Sequence, residues 1–169
     1  RQMCIRDRTK GSVKVDGVDV RDMTQKELRD KLGYVPQKGV LFSGTIDSNI
    51  RYGKPEITDA QVKEAAEVAQ ATEFIDTKPE KCESPVSQGG TNVSGGQKQR
   101  LSIARAIAKD PEIFIFDDSF SALDFKTDSQ LRKALKEYTK DATTVIVAQR
   151  ISTILGADQI IVLDDGHMA

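Results

Sequence analysis

The chain has no tryptophan, one histidine and two cysteines in 169 residues. Cys4 and Cys82 are too few to staple a disulfide-built scaffold, so reduced thiols are the default. Neither charge is in excess. Lys and Arg total 25 against 26 Asp and Glu, a net charge of −1. That balance removes the electrostatic case for nucleic acid as a partner. Long apolar runs are also missing. Ile113-Phe114-Ile115-Phe116 is typical of the strongest, far short of the ~20 residues that cross a bilayer. No signal peptide, internal repeat or low-complexity tract is visible. What remains is the composition of a globular domain with enough chain to bury a core.

Patterning then places the elements. Arg1 to Arg8 are charge-rich and aperiodic and read as a non-native scar. Val13, Val15, Val18 and Val20 flank Asp16-Gly17, a hairpin signal. Thr24 with Glu27 and Thr58 with Gln61 have capping-box spacing. Leu28 and Leu32 share one face of the first helix, and Val62, Ala65, Ala66 and Ala69 share one of the second. Tyr34-Val35 is a short strand stopped by Pro36. Residues 37–56 and 77–93 read as loops. Leu101, Ala104 and Ala108 mark a helix ended by Asp110-Pro111. Ile113–Phe116 and Thr144–Ala148 read as strands buried on both faces. Leu131, Ala134, Leu135 and Tyr138 mark a helix between them. A short helix at 152–156 precedes a last strand, Gln159–Leu163. This alternation predicts an α/β fold with a parallel sheet.

Two strings carry chemistry. Ser94-Gly95-Gly96-Gln97 opens a helix, where small residues and the positive end of the helix dipole suit a phosphate. Asp117-Asp118 follows a buried strand, where open α/β sheets bind ligands and a carboxylate can hold Mg²⁺. With Lys98-Gln99-Arg100-Leu101 after the first string and Ser121-Ala122-Leu123-Asp124 after the second, residues 11–169 resemble the ATP-binding cassette (ABC) ATPase family. The first string matches its signature motif, with Val93 in place of the usual Leu. Ile113–Asp117 matches Walker B, Ser121–Asp124 the D-loop, and Gln37 the Q-loop.

The resemblance implies a partial P-loop NTPase (RecA-like) core with a remnant of the antiparallel β-subdomain and an ABC helical subdomain at about residues 40–105. It implies ATP and Mg²⁺ as cofactors. Gln37 and Asp117 would bind the metal, Asp117 through water. Ser94, Gly95, Gly96 and Gln97 would contact the γ-phosphate of ATP held by a second cassette, and Asp124 would lie between the two. The string Gly39–Ile46 is similar to that of exporters, whose transmembrane domains share the polypeptide. Phe42 and Ile46 would then pack near a coupling helix, at the cytoplasmic face of the plasma membrane.

Three departures qualify this. No Walker A is present, because Gly53-Lys54 is followed by Pro55 where Ser or Thr is required. The chain therefore reads as truncated at both ends, with an exposed strand edge and apolar patch expected. Asp118 stands where the family has a catalytic glutamate, and Gln149 where it has a histidine that glutamine cannot replace as a proton carrier. His167 matches no motif and reads as a surface residue. An intact signature beside two altered catalytic positions resembles the degenerate half of a heterodimeric, multidrug-type exporter. Its partner would carry the intact glutamate and histidine. A homodimer with two weakened sites, a soluble ABC protein of repair or translation, a non-catalytic dimerisation module and a truncated pseudogene product stand as alternatives.

Overall fold

The computed structural model describes residues 10–169, apart from the side chain of Ser152. The segment 1–8 lies outside the described residues. Strands β1 (Lys14–Val15) and β2 (Val18–Asp19) form the expected hairpin. Asp16 and Gly17 both have positive φ, 51° and 80°, as a two-residue turn of this hand requires. The capping box of Thr24 and Glu27 opens α1 (Gln25–Lys31). Leu32 does not extend that helix. It begins β3 (Leu32–Val35).

The stretch read as loop after Pro36 contains β4 (Gly44–Thr45) and α2 (Ile46–Ile50). The second capping box opens α3 (Asp59–Val68), followed by α4 (Thr72–Asp76) and β5 (Pro85–Val86), which pairs antiparallel with β4. Then come α5 (Gly95–Ala108), β6 (Ile113–Asp117), α6 (Phe125–Tyr138), β7 (Thr143–Val147) and α7 (Ile151–Ile154). A terminal hairpin joins β8 (Leu163–Asp164) to β9 (His167–Met168).

The main sheet is parallel, in the order β3-β6-β7, with Val35 opposite Phe116 and Asp117 opposite Val147. Leu101, Ile103 and Ile107 of α5, Phe114 and Phe116 of β6 and Leu131 of α6 are core residues, none more than 1% exposed. Burying such side chains is worth roughly 1.5–3 kcal/mol each.

Two expectations about burial need correction. In β6 only alternate residues, Phe114 and Phe116, are fully buried, and Ile113 and Ile115 face a half-covered side. β7 forms where predicted but is not buried, with Val145 46% and Val147 52% exposed. The reason is its place in the sheet. It pairs with β6 on one side only, so its other edge has no ladder among the described residues. Residues 159–162 likewise form no strand, and Ile160, Ile161 and Val162 are exposed. The edge and apolar patch expected from the sequence are thus present.

Candidate nucleotide and metal site

Asp117 ends β6, and the ladder continues one residue further through Asp118 N–H to Val147 O at 2.9 Å. This fixes the backbone of both acids. Asp118 has φ 45°, a left-handed conformation that Asp tolerates better than most residues. Each carboxylate receives one neutral donor from the end of β3. Tyr34 Oη donates to Asp117 Oδ2 at 3.0 Å, and Gln37 Nε2 donates to Asp118 Oδ2 at 3.1 Å. The Tyr34 phenol is pushed up from its ordinary pKa, first by partial burial and then by its bond to Asp117. Gln37, Asp117 and Asp118 are therefore brought together at the ends of β3 and β6.

These groups are hard oxygen donors, the type Mg²⁺ prefers. No cluster of three His, Cys, Asp or Glu is found among the described residues. Asp117 and the Gln37 amide oxygen would therefore share the ion with water and phosphate, with Asp118 beside them. The donor set fits Mg²⁺ on those terms.

The loop beyond Gln37 is tied to α5 by residues to which the motifs assign no role. The fully buried Gln99 accepts from Gly39 N–H at 2.9 Å and donates to Pro36 O at 3.0 Å. Gly39 must be glycine for this approach, because a Cβ there would sit 2.8 Å from Lys98 O. Asn49, also buried, holds both backbone groups of Phe42. Arg105 donates to Asn49 O, Asn49 Oδ1 and Val40 O, and its guanidinium lies over the rings of Phe42 and Tyr52. Those rings stack at 4.1 Å and stay exposed, while Ile46 is fully buried. Of the two residues expected at a partner helix, only Phe42 reaches the surface. Ile46 is core because α2 turns it inward.

Gln99→Leu keeps the volume but strips both bonds. The half-buried Gly39 N–H and Pro36 C=O then lack partners, which costs about 1–3 kcal/mol. The expected result is a matching drop in the urea midpoint, with unchanged secondary structure by circular dichroism.

At the start of α5, Ser94 Oγ accepts from Gln97 N–H at 3.2 Å and Gln97 Oε1 from Ser94 N–H at 3.0 Å. This capping box engages Ser94 and Gln97 with each other. It leaves out the amides of Gly95 and Gly96, which as first-turn N–H groups have no intrahelical acceptor. A Cβ on Gly95 would meet nothing within 4 Å, whereas one on Gly96 would touch Ala122 O at 3.4 Å. The open side of Gly95 is where an anion has room. The D-loop thus packs on the signature turn. Asp124 caps α6 by accepting from Thr127 N–H at 3.0 Å. Hydrogen bonds from Thr127 hold its carboxyl below the usual range.

Gln149 is exposed, two residues past Val147. His167 is exposed in β9. Lys54 donates to Lys109 O at 3.0 Å, so the one Gly-Lys pair closes the end of α5 and is no phosphate lysine.

The ABC transporter family model matches residues 3–121. An uncharacterized ABC transporter ATP-binding protein of Mycobacterium tuberculosis is 47% identical over 165 residues, covering 96% of this chain and 28% of the relative. A multidrug export ATP-binding/permease protein of Staphylococcus aureus is 44% identical over 162 residues, with the same 96% and 28% coverage. A solved bacterial Atm1-family ABC exporter with ATP bound superposes with a TM-score of 0.92 at 38% identity, over 100% of this chain and 31% of that one. The chain therefore spans less than a third of the length of these relatives.

Proposed function

The chain belongs to the ABC transporter ATP-binding family, and from that premise we propose that it is the nucleotide-binding domain of an exporter, using Mg·ATP to drive transport. The observation that carries this is the joined pair of contacts at the end of β6. Gln37 holds Asp118, Tyr34 holds Asp117, and Gln99 ties the same loop to the signature helix. A shift of that loop therefore reaches both carboxylates and α5 together. The exposed Phe42–Tyr52 stack, braced by Arg105, supplies the surface on which a transmembrane domain would push.

Asp117 and Gln37 would hold Mg²⁺, and bound Mg²⁺ would neutralise charge on the phosphates. The amides at Gly95 and Gly96 would meet the γ-phosphate of ATP on a second cassette, with Asp124 alongside. Asp118 and Gln149 stand in for a longer acid and a proton-carrying histidine. This site would hold ATP and turn it over slowly, while the signature completes a faster site on a partner subunit that keeps both groups. The assembly would sit at the cytoplasmic face of the plasma membrane.

Asp117→Asn in the full-length protein tests the metal role. Mg²⁺-dependent retention of ATP at this site should weaken by about 10-fold or more. Retention that ignores the substitution would remove Asp117 from the metal site.

A further inference from the structure

We propose that Tyr34 is a positioning residue for Asp117, orienting its carboxylate toward the metal without cancelling its charge. The inference rests on the reading of Asp117 as the Mg²⁺ residue. In the sheet, Tyr34 lies opposite Ile115 in the parallel pairing of β3 with β6. Alternation puts Ile115 and Asp117 on the same face, opposite the buried Phe114 and Phe116. Gly33 and Val35 face the core, so Tyr34 points to the side that Asp117 occupies. The diagonal from a residue to the one two places on in the next strand is about 7–8 Å. A tyrosine spans that gap and ends in a donor. Phenylalanine has the ring without the hydroxyl, and asparagine or serine is too short.

The contact observed is Tyr34 Oη to Asp117 Oδ2, 3.0 Å. It engages one carboxylate oxygen and fixes the rotamer, so Oδ1 can serve the metal's water. The chemistry of the donor matters as much as its reach. Arg or Lys at this place would pair with the carboxylate and repel an incoming dication. A phenol is neutral and leaves the charge of the acid pair intact. A tyrosine phenol ordinarily titrates at about 10, so it is protonated, and a donor, at neutral pH. Gln37 treats Asp118 in the same way, so the segment 34–37 orients both acids with neutral donors. Losing a group that holds a metal ligand in place typically costs roughly 10- to 100-fold in metal affinity.

The test uses the full-length protein with ATP and Mn²⁺ as the probe, titrated by electron paramagnetic resonance. Tyr34→Phe should weaken Mn²⁺ binding by roughly 10-fold, while metal-free ATP affinity stays within about two-fold. The ring is 55% exposed, so this variant leaves the core untouched. Single-site turnover at this site should show the same split, with the Mg²⁺ concentration for half-maximal rate raised and the rate at saturating Mg²⁺ nearly restored. Asp117→Asn is run beside it. Wild-type Mn²⁺ affinity in Tyr34→Phe, with affinity lost in Asp117→Asn, would overturn the role of Tyr34 alone. Unchanged affinity in both would overturn the reading of Asp117, and this inference with it. Equal loss of metal-free ATP and Mn²⁺ affinity in Tyr34→Phe would mark a general structural role and also overturn it.

Discussion

Gly95→Asp in the assembled transporter should abolish most ATP turnover while leaving the fold intact. The two effects separate because of what surrounds the residue. A Cβ at position 95 meets nothing within 4 Å, so the side chain enters open space. Position 95 is the first residue of α5, where a carboxylate interacts favourably with the helix dipole. Thermal stability should therefore be unchanged or slightly raised. The same carboxylate would stand where the proposed γ-phosphate approaches the Gly95 and Gly96 amides. Like charges meet there, and the amides are screened from the phosphate. Loss of such a donor site costs on the order of 100-fold or more in rate. Turnover measured beside a melting curve checks both halves. A substitution that lowers both would mean that Gly95 is structural.

Asp118→Glu should act in the opposite sense on rate. The Asp118 backbone is held by its bond to Val147 and cannot shift to make up for a short side chain. Glutamate moves the carboxylate outward by about one C–C bond, ~1.5 Å. Misplacement by ~1 Å can cost on the order of 100-fold, so the variant should raise turnover at this site by roughly 10- to 100-fold. Stability should fall by about 1 kcal/mol, because glutamate fits the left-handed φ of 45° less well than aspartate. Adding Gln149→His should raise the rate further. Single-site turnover and a urea midpoint are the two readouts. An unaltered rate in Asp118→Glu would mean that carboxylate length does not limit this site.

Much of this was legible in local sequence. Asp16-Gly17, Thr24 with Glu27 and Thr58 with Gln61 act within four residues, and each forms where its spacing puts it. The Ile113–Asp117 strand is equally local. The α2 helix reads as loop in the sequence because its local signals are short: Thr45 caps it with Ser48, and only Ile46 and Ile50 mark an apolar face at i, i+4. Asn49 reaching back to Phe42 and Arg105 from α5 hold the turn from outside that pattern. The exposure of β7 is not legible locally, because an apolar run records what could be covered, and coverage depends on neighbours far along the chain.

In the site, Gln37, Asp117 and Asp118 were readable from motif order. The contacts of Tyr34 and Gln99 were not, since their partners are 83 and about 60 residues away. A tyrosine preceding Pro36 on a strand beside an acid-ended strand is the signal that register prediction would need. Gln99 carries a weaker one, as an uncharged polar residue on the apolar side of an amphipathic helix.

The account's central claim is an asymmetry. As proposed, this chain's signature would work in a fast site and its acid pair in a slow one. The most direct test compares total ATP turnover of the assembled full-length transporter carrying Asp118→Asn with that carrying Gly95→Asp. The account predicts that Asp118→Asn leaves most of the turnover, because the site it disables contributes little, while Gly95→Asp removes nearly all of it. Equal loss in the two variants would contradict the account and make Asp118 the acid of a fully working site.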